Sequence, residues 1–186
     1  MMIKKKNTSR RNFIKKASII PGIMILPRHV LGGKGYKAPS DKLNIAGVGV
    51  RKYGMGSNNI YQCKGENIVA LCDVDHKQSA QTFKLYPKAK VYKDFRVMLE
   101  NQKDIDAVIV ATPDHNHAII TMMAIKLGKH VFCQKPLTHT VFEARKITEA
   151  ARKYKVQTQM GNQGRSSDEI RSLKEWINDD YCRNLW

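Results

Sequence analysis

The sequence predicts an α/β fold, a doubly wound parallel sheet, and three observations predict it. From Leu43 onward, short apolar or β-branched runs alternate with helix-length stretches, the rhythm of βαβ units. The runs are almost continuously apolar, as expected of strands covered by helices on both faces. A glycine-rich segment follows the first run and leads straight into a helical stretch, where a tight strand-to-helix turn is needed.

The strands are expected at Leu43 to Val50, Asn67 to Asp73, Lys90 to Tyr92, Ala107 to Ala111, His130 to Cys133 and Gln157 to Met160. Helices fill the gaps. Asp75 with Gln78, Thr140 with Glu143, and Ser166 with Glu169 each have capping-box spacing, a short acceptor followed three residues later by a reaching side chain. Ile119, Met122, Met123 and Leu127 recur at helical spacing and are expected to pack into the core, with Gly128 as the helix stop. Six strands in two halves give the order 3-2-1-4-5-6, the Rossmann arrangement.

The 186 residues suffice for one well-buried domain, and 42% hydrophobic with 26% charged residues is ordinary globular composition. The net charge of +17 is uneven. Ten Lys or Arg and no acid lie between Met1 and Ser40, which leaves the remainder at +7. The body has neither a basic helix nor aromatics interleaved with Arg, so no nucleic-acid partner is expected. Cys63, Cys72, Cys133 and Cys182 are scattered, with no C-x-x-C pair and no His at ligand spacing, so no metal site is expected. Cys72 and Cys133 fall in apolar runs and should be buried free thiols.

The leader, residues 1–40, contains SRRNFIKK, Ser9 to Lys16, then an apolar run from Ala17 to Pro27. A basic stretch, an Arg pair at Arg10 and Arg11, an apolar run and a Gly-rich exit resemble a twin-arginine export signal, which directs the protein to the periplasm. The run is too short for a stable membrane anchor: eleven helical residues reach roughly 16 Å against about 30 Å of hydrocarbon.

Gly47, Gly49, Gly54 and Gly56 lie in NIAGVGVRKYGMGSNNI after the first strand. There a pyrophosphate can approach backbone N–H groups at a helix start. Asp73, at the end of the second strand, is placed to accept hydrogen bonds from an adenosine ribose, which favours NAD; its carboxylate would repel the 2′-phosphate of NADP. Lys52 stands where the third Gly of G-x-G-x-x-G is expected, so the loop is longer than usual. Arg51 and Lys52 either reach the phosphates or form a solvated loop tip.

VIVATPDHNHA, HVFCQKPLTHTVFEARKI and VQTQMGNQGRSS follow in order and, with the glycine loop, resemble the glucose-fructose oxidoreductase, inositol dehydrogenase and rhizopine-catabolism (Gfo/Idh/MocA) family from about Lys42 to about Ile177. The resemblance implies an oxidoreductase that moves hydride between NAD and a sugar or cyclitol hydroxyl. It implies Thr112 and Pro113 on the nicotinamide side and Lys135 as the active-site lysine. His115, Gln134, Asn162 and Gln163 become cofactor or pocket groups. Gln134 replaces the Glu common before this lysine, and Arg165 stands where some members have His. His115, His117 and His139 are read as pocket groups and not metal ligands, since alternate helical residues do not face each other.

Residues 41–165 are expected to form the dinucleotide-binding domain and 166–186 to begin the connection to a second, substrate-binding domain. Members of the family carry that domain, and the chain is expected to be a fragment lacking it and inactive alone. The full-length protein is expected to be a homo-oligomer. An NAD-dependent glycoside hydrolase of the same family, and an inert NAD-binding fragment, are the alternatives.

Overall fold

The computed structural model describes residues 37–178. The chain divides into two units, Met1–Asp41 and Lys42–Trp186. In the first, the described residues Pro39–Asp41 form one 3-10 turn, and the twin-arginine segment lies outside the described residues. Among the described residues no helix is long and apolar enough to cross a membrane.

The second unit is built on six parallel strands: β1 (Asn44–Val48), β2 (Asn67–Cys72), β3 (Lys90–Tyr92), β4 (Ala107–Val110), β5 (His130–Gln134) and β6 (Thr158–Gly161). Their order is β3-β2-β1-β4-β5-β6. The chain winds outward from β1 to β3 and then returns beside β1 as β4. Parallel neighbours leaving in opposite directions open a crevice at their carboxyl ends.

The period-two alternation of strand side chains divides the core in two. Ala46, Val48, Ala70, Cys72, Val108, Val110, Val131 and Cys133 join one cluster, while Ile45, Leu71 and Ile109 join the other. Helices α1 (Met55–Gln62) and α2 (His76–Leu85) contribute Ile60 and Phe83 to the smaller cluster. Helices α3 (Phe95–Asn101), α4 (His117–Lys126) and α5 (Val141–Tyr154) contribute Met98, Ile120, Ile125 and Ile147 to the larger. Helix α6 (Asp168–Asn178) buries none of its residues and leaves Ile170, Leu173, Trp176 and Ile177 exposed.

Three expectations need correction. In α4 the buried face is His117, Ala118, Ile120, Thr121, Ala124 and Ile125, whereas Ile119 is 62% exposed and Leu127 38%. Met122 and Met123 pack only partly against the core. The helix is apolar on nearly every side, so periodicity selects no single face. At α2 the Asp75 side chain accepts from the backbone N–H groups of Lys77 and Gln78, but the Gln78 side-chain Oε1 accepts from Arg51 Nε at 3.0 Å and does not reach back to the cap. At α6, Ser166 closes a 3-10 turn, Gln163–Ser166, and the helix starts at Asp168. The α5 box does form: Thr140 accepts from the Glu143 N–H, and the Glu143 carboxylate accepts from the Thr140 N–H. At the end of α4, Gly128 at φ +74° lets Lys129 N–H reach the Ala124 carbonyl, the left-handed turn that terminates a helix.

Candidate functional site

A cleft of about 540 Å³ opens at the carboxyl ends of β1, β2 and β4, at the point where the strand order reverses. It is lined by Gly49, Gly54, Asp73, Thr112 and Pro113 from the sequence-predicted set. Gly49 turns the chain at φ +81°, with its N–H on the Cys72 carbonyl. A side chain there would stand 2.5 Å from the Ala111 carbonyl oxygen, so the loop passes directly over the end of β4. Gly54 is the residue before α1, at the end of a loop in which Tyr53 takes φ +58°.

Gly47 and Gly56 serve the cleft from behind. A Cβ at Gly47 would press on Val50 and Ile60, and one at Gly56 would collide with the Gly49 carbonyl. The close helix-to-strand packing of a third fingerprint glycine is thus made by Gly56, within α1, and not at the position of Lys52. The two bases part company: Arg51 lines the cleft beside Gln78, whereas Lys52 lies 4.4 Å above the exposed Tyr53 ring, outside it.

Asp73 is 9% exposed, and its Oδ1 accepts from the Asp75 N–H at 3.0 Å. The residues before and after it, Cys72 and Val74, line the same cleft, as do Lys93, Phe95 and Asn116, which no motif in the sequence singles out. Burial, and then the Asp73 carboxylate, push the Cys72 thiol up to about 12. On the β4 side the Thr112 hydroxyl is buried without a partner. A buried hydroxyl left unpaired is costly, and a ligand in the cleft would satisfy it.

Gln134 and Lys135 stand one strand further on, at the end of β5. Gln134 is 3% exposed; its side-chain Oε1 takes the Lys135 backbone N–H at 3.3 Å, and its side-chain Nε2 is buried and unpartnered. Gly161 on β6 leaves room for that amide, which a Cβ there would meet at 3.1 Å. Lys135 is exposed, and the Lys135–Pro136 peptide is cis. Asn162 and Gln163 are exposed after β6, and His115 is exposed in the turn Asp114–Asn116. None of these lies in the cleft lining. His139 is also exposed, whereas His117, two residues from the exposed His115, is buried.

The glycine turn, the buried carboxylate at the neighbouring strand tip and the unpaired hydroxyl fit an adenine dinucleotide. Asp73 would hold the ribose, Gly49 and Gly54 would let the pyrophosphate approach the backbone, and Thr112 would face the nicotinamide side.

Comparison with known proteins agrees. Inositol 2-dehydrogenase of Salmonella paratyphi B is 30% identical over 117 residues, 60% of this chain and 33% of the relative. That of Klebsiella pneumoniae is 33% identical over the same shares. The chain spans about a third of the length of the curated relatives it matches. Among solved structures, myo-inositol 2-dehydrogenase from Lactobacillus plantarum superposes with a TM-score of 0.65 at 24% identity, covering 75% of this chain and 42% of that one. Scyllo-inositol dehydrogenase from Lactobacillus casei, with bound NAD(H) and scyllo-inositol, gives 0.64 at 23% identity with the same coverage. At these identities the likeness is one of fold. The family described as "Oxidoreductase family, NAD-binding Rossmann fold" matches residues 42–162, more than half of the sequence, and the chain therefore belongs to the Gfo/Idh/MocA oxidoreductases and carries their NAD-binding domain.

Proposed function

We infer that this chain is the cofactor half of an enzyme that moves hydride between NAD and a secondary hydroxyl of a sugar or cyclitol. The observation that carries the reading is the convergence of Gly49, Asp73 and Thr112 on one cleft at the switch point of the sheet, with Lys135 at the adjoining strand tip. The relatives named inositol 2-dehydrogenase support the substrate class. Bound NAD supplies the hydride acceptor. Asp73 accepts the ribose hydroxyls and, with its negative charge, disfavours a 2′-phosphate. Lys135 orients the substrate hydroxyl and stabilises negative charge that develops on its oxygen as hydride leaves. A second domain would exclude water and position the sugar, without which orientation is lost. Residues 1–40 act as a twin-arginine leader to the periplasm, and replacing both Arg10 and Arg11 with Lys retains the protein inside the cell; normal export of that variant refutes the leader.

The deciding experiment is calorimetric titration of the chain with NADH and NADPH. Asp73→Asn keeps an acceptor for the Asp75 N–H. It should weaken NADH by about tenfold, the worth of a hydrogen bond to a charged group, and narrow the gap to NADPH. Absence of NADH binding by the wild-type chain would sink the proposal.

A further inference from the structure

His117 opens α4, yet its ring is only 1% exposed. Its Nδ1 lies 2.6 Å from the Pro136 carbonyl oxygen and its Nε2 lies 2.8 Å from the Thr112 carbonyl oxygen. A carbonyl oxygen accepts and cannot donate, so making both bonds requires a proton on each nitrogen. A neutral imidazole would instead point one lone pair at an oxygen, shielded from the solvent that would relieve it. The titratable group facing the ring is the Cys133 thiol of β5. It is the largest influence on the imidazole, and with the two carbonyls it overcomes burial to lift the group to about 9. The start of α4 opposes a cation through the helix dipole, a smaller effect than the two short carbonyl bonds together with the neighbouring thiol.

The two carbonyls belong to the segments that carry the site. Thr112 follows β4, lines the cleft and holds its hydroxyl unpaired there. Pro136 directly follows Lys135 at the end of β5. We propose that His117 is a positioning residue, a doubly protonated imidazolium that ties the Thr112 carbonyl to the Pro136 carbonyl and thereby fixes Lys135 beside the cofactor cleft. The tie itself stands on geometry; its bearing on Lys135 rests on the function proposed above. Asp73 stands across the cleft at the tip of β2, and the Gly49 turn meets Ala111 and Thr112 rather than the tip of β5, so neither performs this task.

The test is 15N NMR of the complete 186-residue chain across a pH series, following the histidine rings together with the backbone amides of Lys135 and Asp114. Both nitrogens of His117 should be protonated at neutral pH, and one proton should leave near pH 9. The two amides should shift with the same midpoint in the wild type and stay flat in His117→Gln, a coupling that a mere space-filling ring would not produce. NADH affinity should fall by about tenfold over the same rise in pH, the size of a lost charge-assisted hydrogen bond. A singly protonated ring at neutral pH, or amides indifferent to its titration, would overturn the tie. The wild-type titration decides this even if His117→Gln does not fold. Loss of NADH binding at every pH, with the ring titrating as expected, would instead strike the cofactor reading and leave the tie in place.

Discussion

At Gly56 a single methyl group has nowhere to go, because the Gly49 carbonyl occupies its place, and backbone cannot swing aside as a long side chain can. Gly128 is the contrasting case: a Cβ there meets nothing within 4 Å, but φ is +74°. Gly128→Ala should therefore cost about 1 kcal/mol, from the left-handed backbone alone. Gly56→Ala should cost roughly 3 kcal/mol despite alanine's better helix propensity, because the clash outweighs it. Urea titrations of the two variants check the order, and equal losses would show that α1 can slide away from the turn. Cys72 offers a second check on the same crevice. Its thiol, raised to about 12 by burial and by Asp73, should resist iodoacetamide in the native chain under conditions that alkylate the urea-unfolded chain at once. Rapid native labelling would mean that the cleft floor is open. The positions of Gly49 and Asp73 after β1 and β2 were legible because both follow from where a strand ends. That Gly56 and not Lys52 marks the close packing was not legible, since loop length is set by three-dimensional closure and not by the spacing of the motif.

Among the elements, β1 through β6 were readable to within a residue or two at most ends; the inner strands are short apolar runs with buried residues on both faces, whereas the edge strands β3 and β6 are mostly exposed. Leu43 and Asp73 fall one residue outside the strands although each still bonds to the neighbouring strand, Leu43 accepting from the Asn67 N–H and Asp73 donating to the Tyr92 carbonyl. Helix α4 was misread for the same reason that the strands were clear. With Ile119, Ile120, Met122, Met123 and Ile125 in one helix, apolar residues point everywhere, and tertiary contacts choose the face. The choice is measurable. Ile125→Ala removes a side chain buried in the larger cluster and should cost about 2–5 kcal/mol, whereas Ile119→Ala, at a position 62% exposed, should stay near 0.5 kcal/mol. Thermal or urea unfolding separates these, and a large loss at Ile119 would place the helix in another rotation. The α6 start shows the limit of capping patterns: Ser166 has the right spacing, but the 3-10 turn after β6 uses it first. Such competition between adjacent local motifs is not encoded in either motif alone.

For the whole molecule, one sheet is held between two apolar clusters, and the polar groups buried with it set how stability follows pH. His117 is raised from 6.5 to about 9 in the folded chain, so between those values the native state binds a proton that the unfolded state has lost. Its contribution is complete below about pH 6.5 and disappears as pH rises through 9. The shift corresponds to roughly 3 kcal/mol, at about 1.4 kcal/mol for each pH unit. Cys72 continues the decline, because a thiol raised from 9 to about 12 favours the unfolded thiolate once pH exceeds 9. The location of His117 in DHNHA gave no hint of this, since nothing in the local sequence says that the Thr112 and Pro136 carbonyls meet across its ring. Guanidinium or urea midpoints measured from slightly acid to alkaline pH should fall in two stages, the first between 6.5 and 9. His117→Gln should be less stable at the acid end and lack the first stage while keeping the second, and Cys72→Ala should keep the first and weaken the second, to which the partly buried Cys63 thiol also contributes. A wild-type midpoint that stays level from neutrality to pH 9 would mean that the imidazole is not held as a cation and that the two strand tips are joined by some other contact.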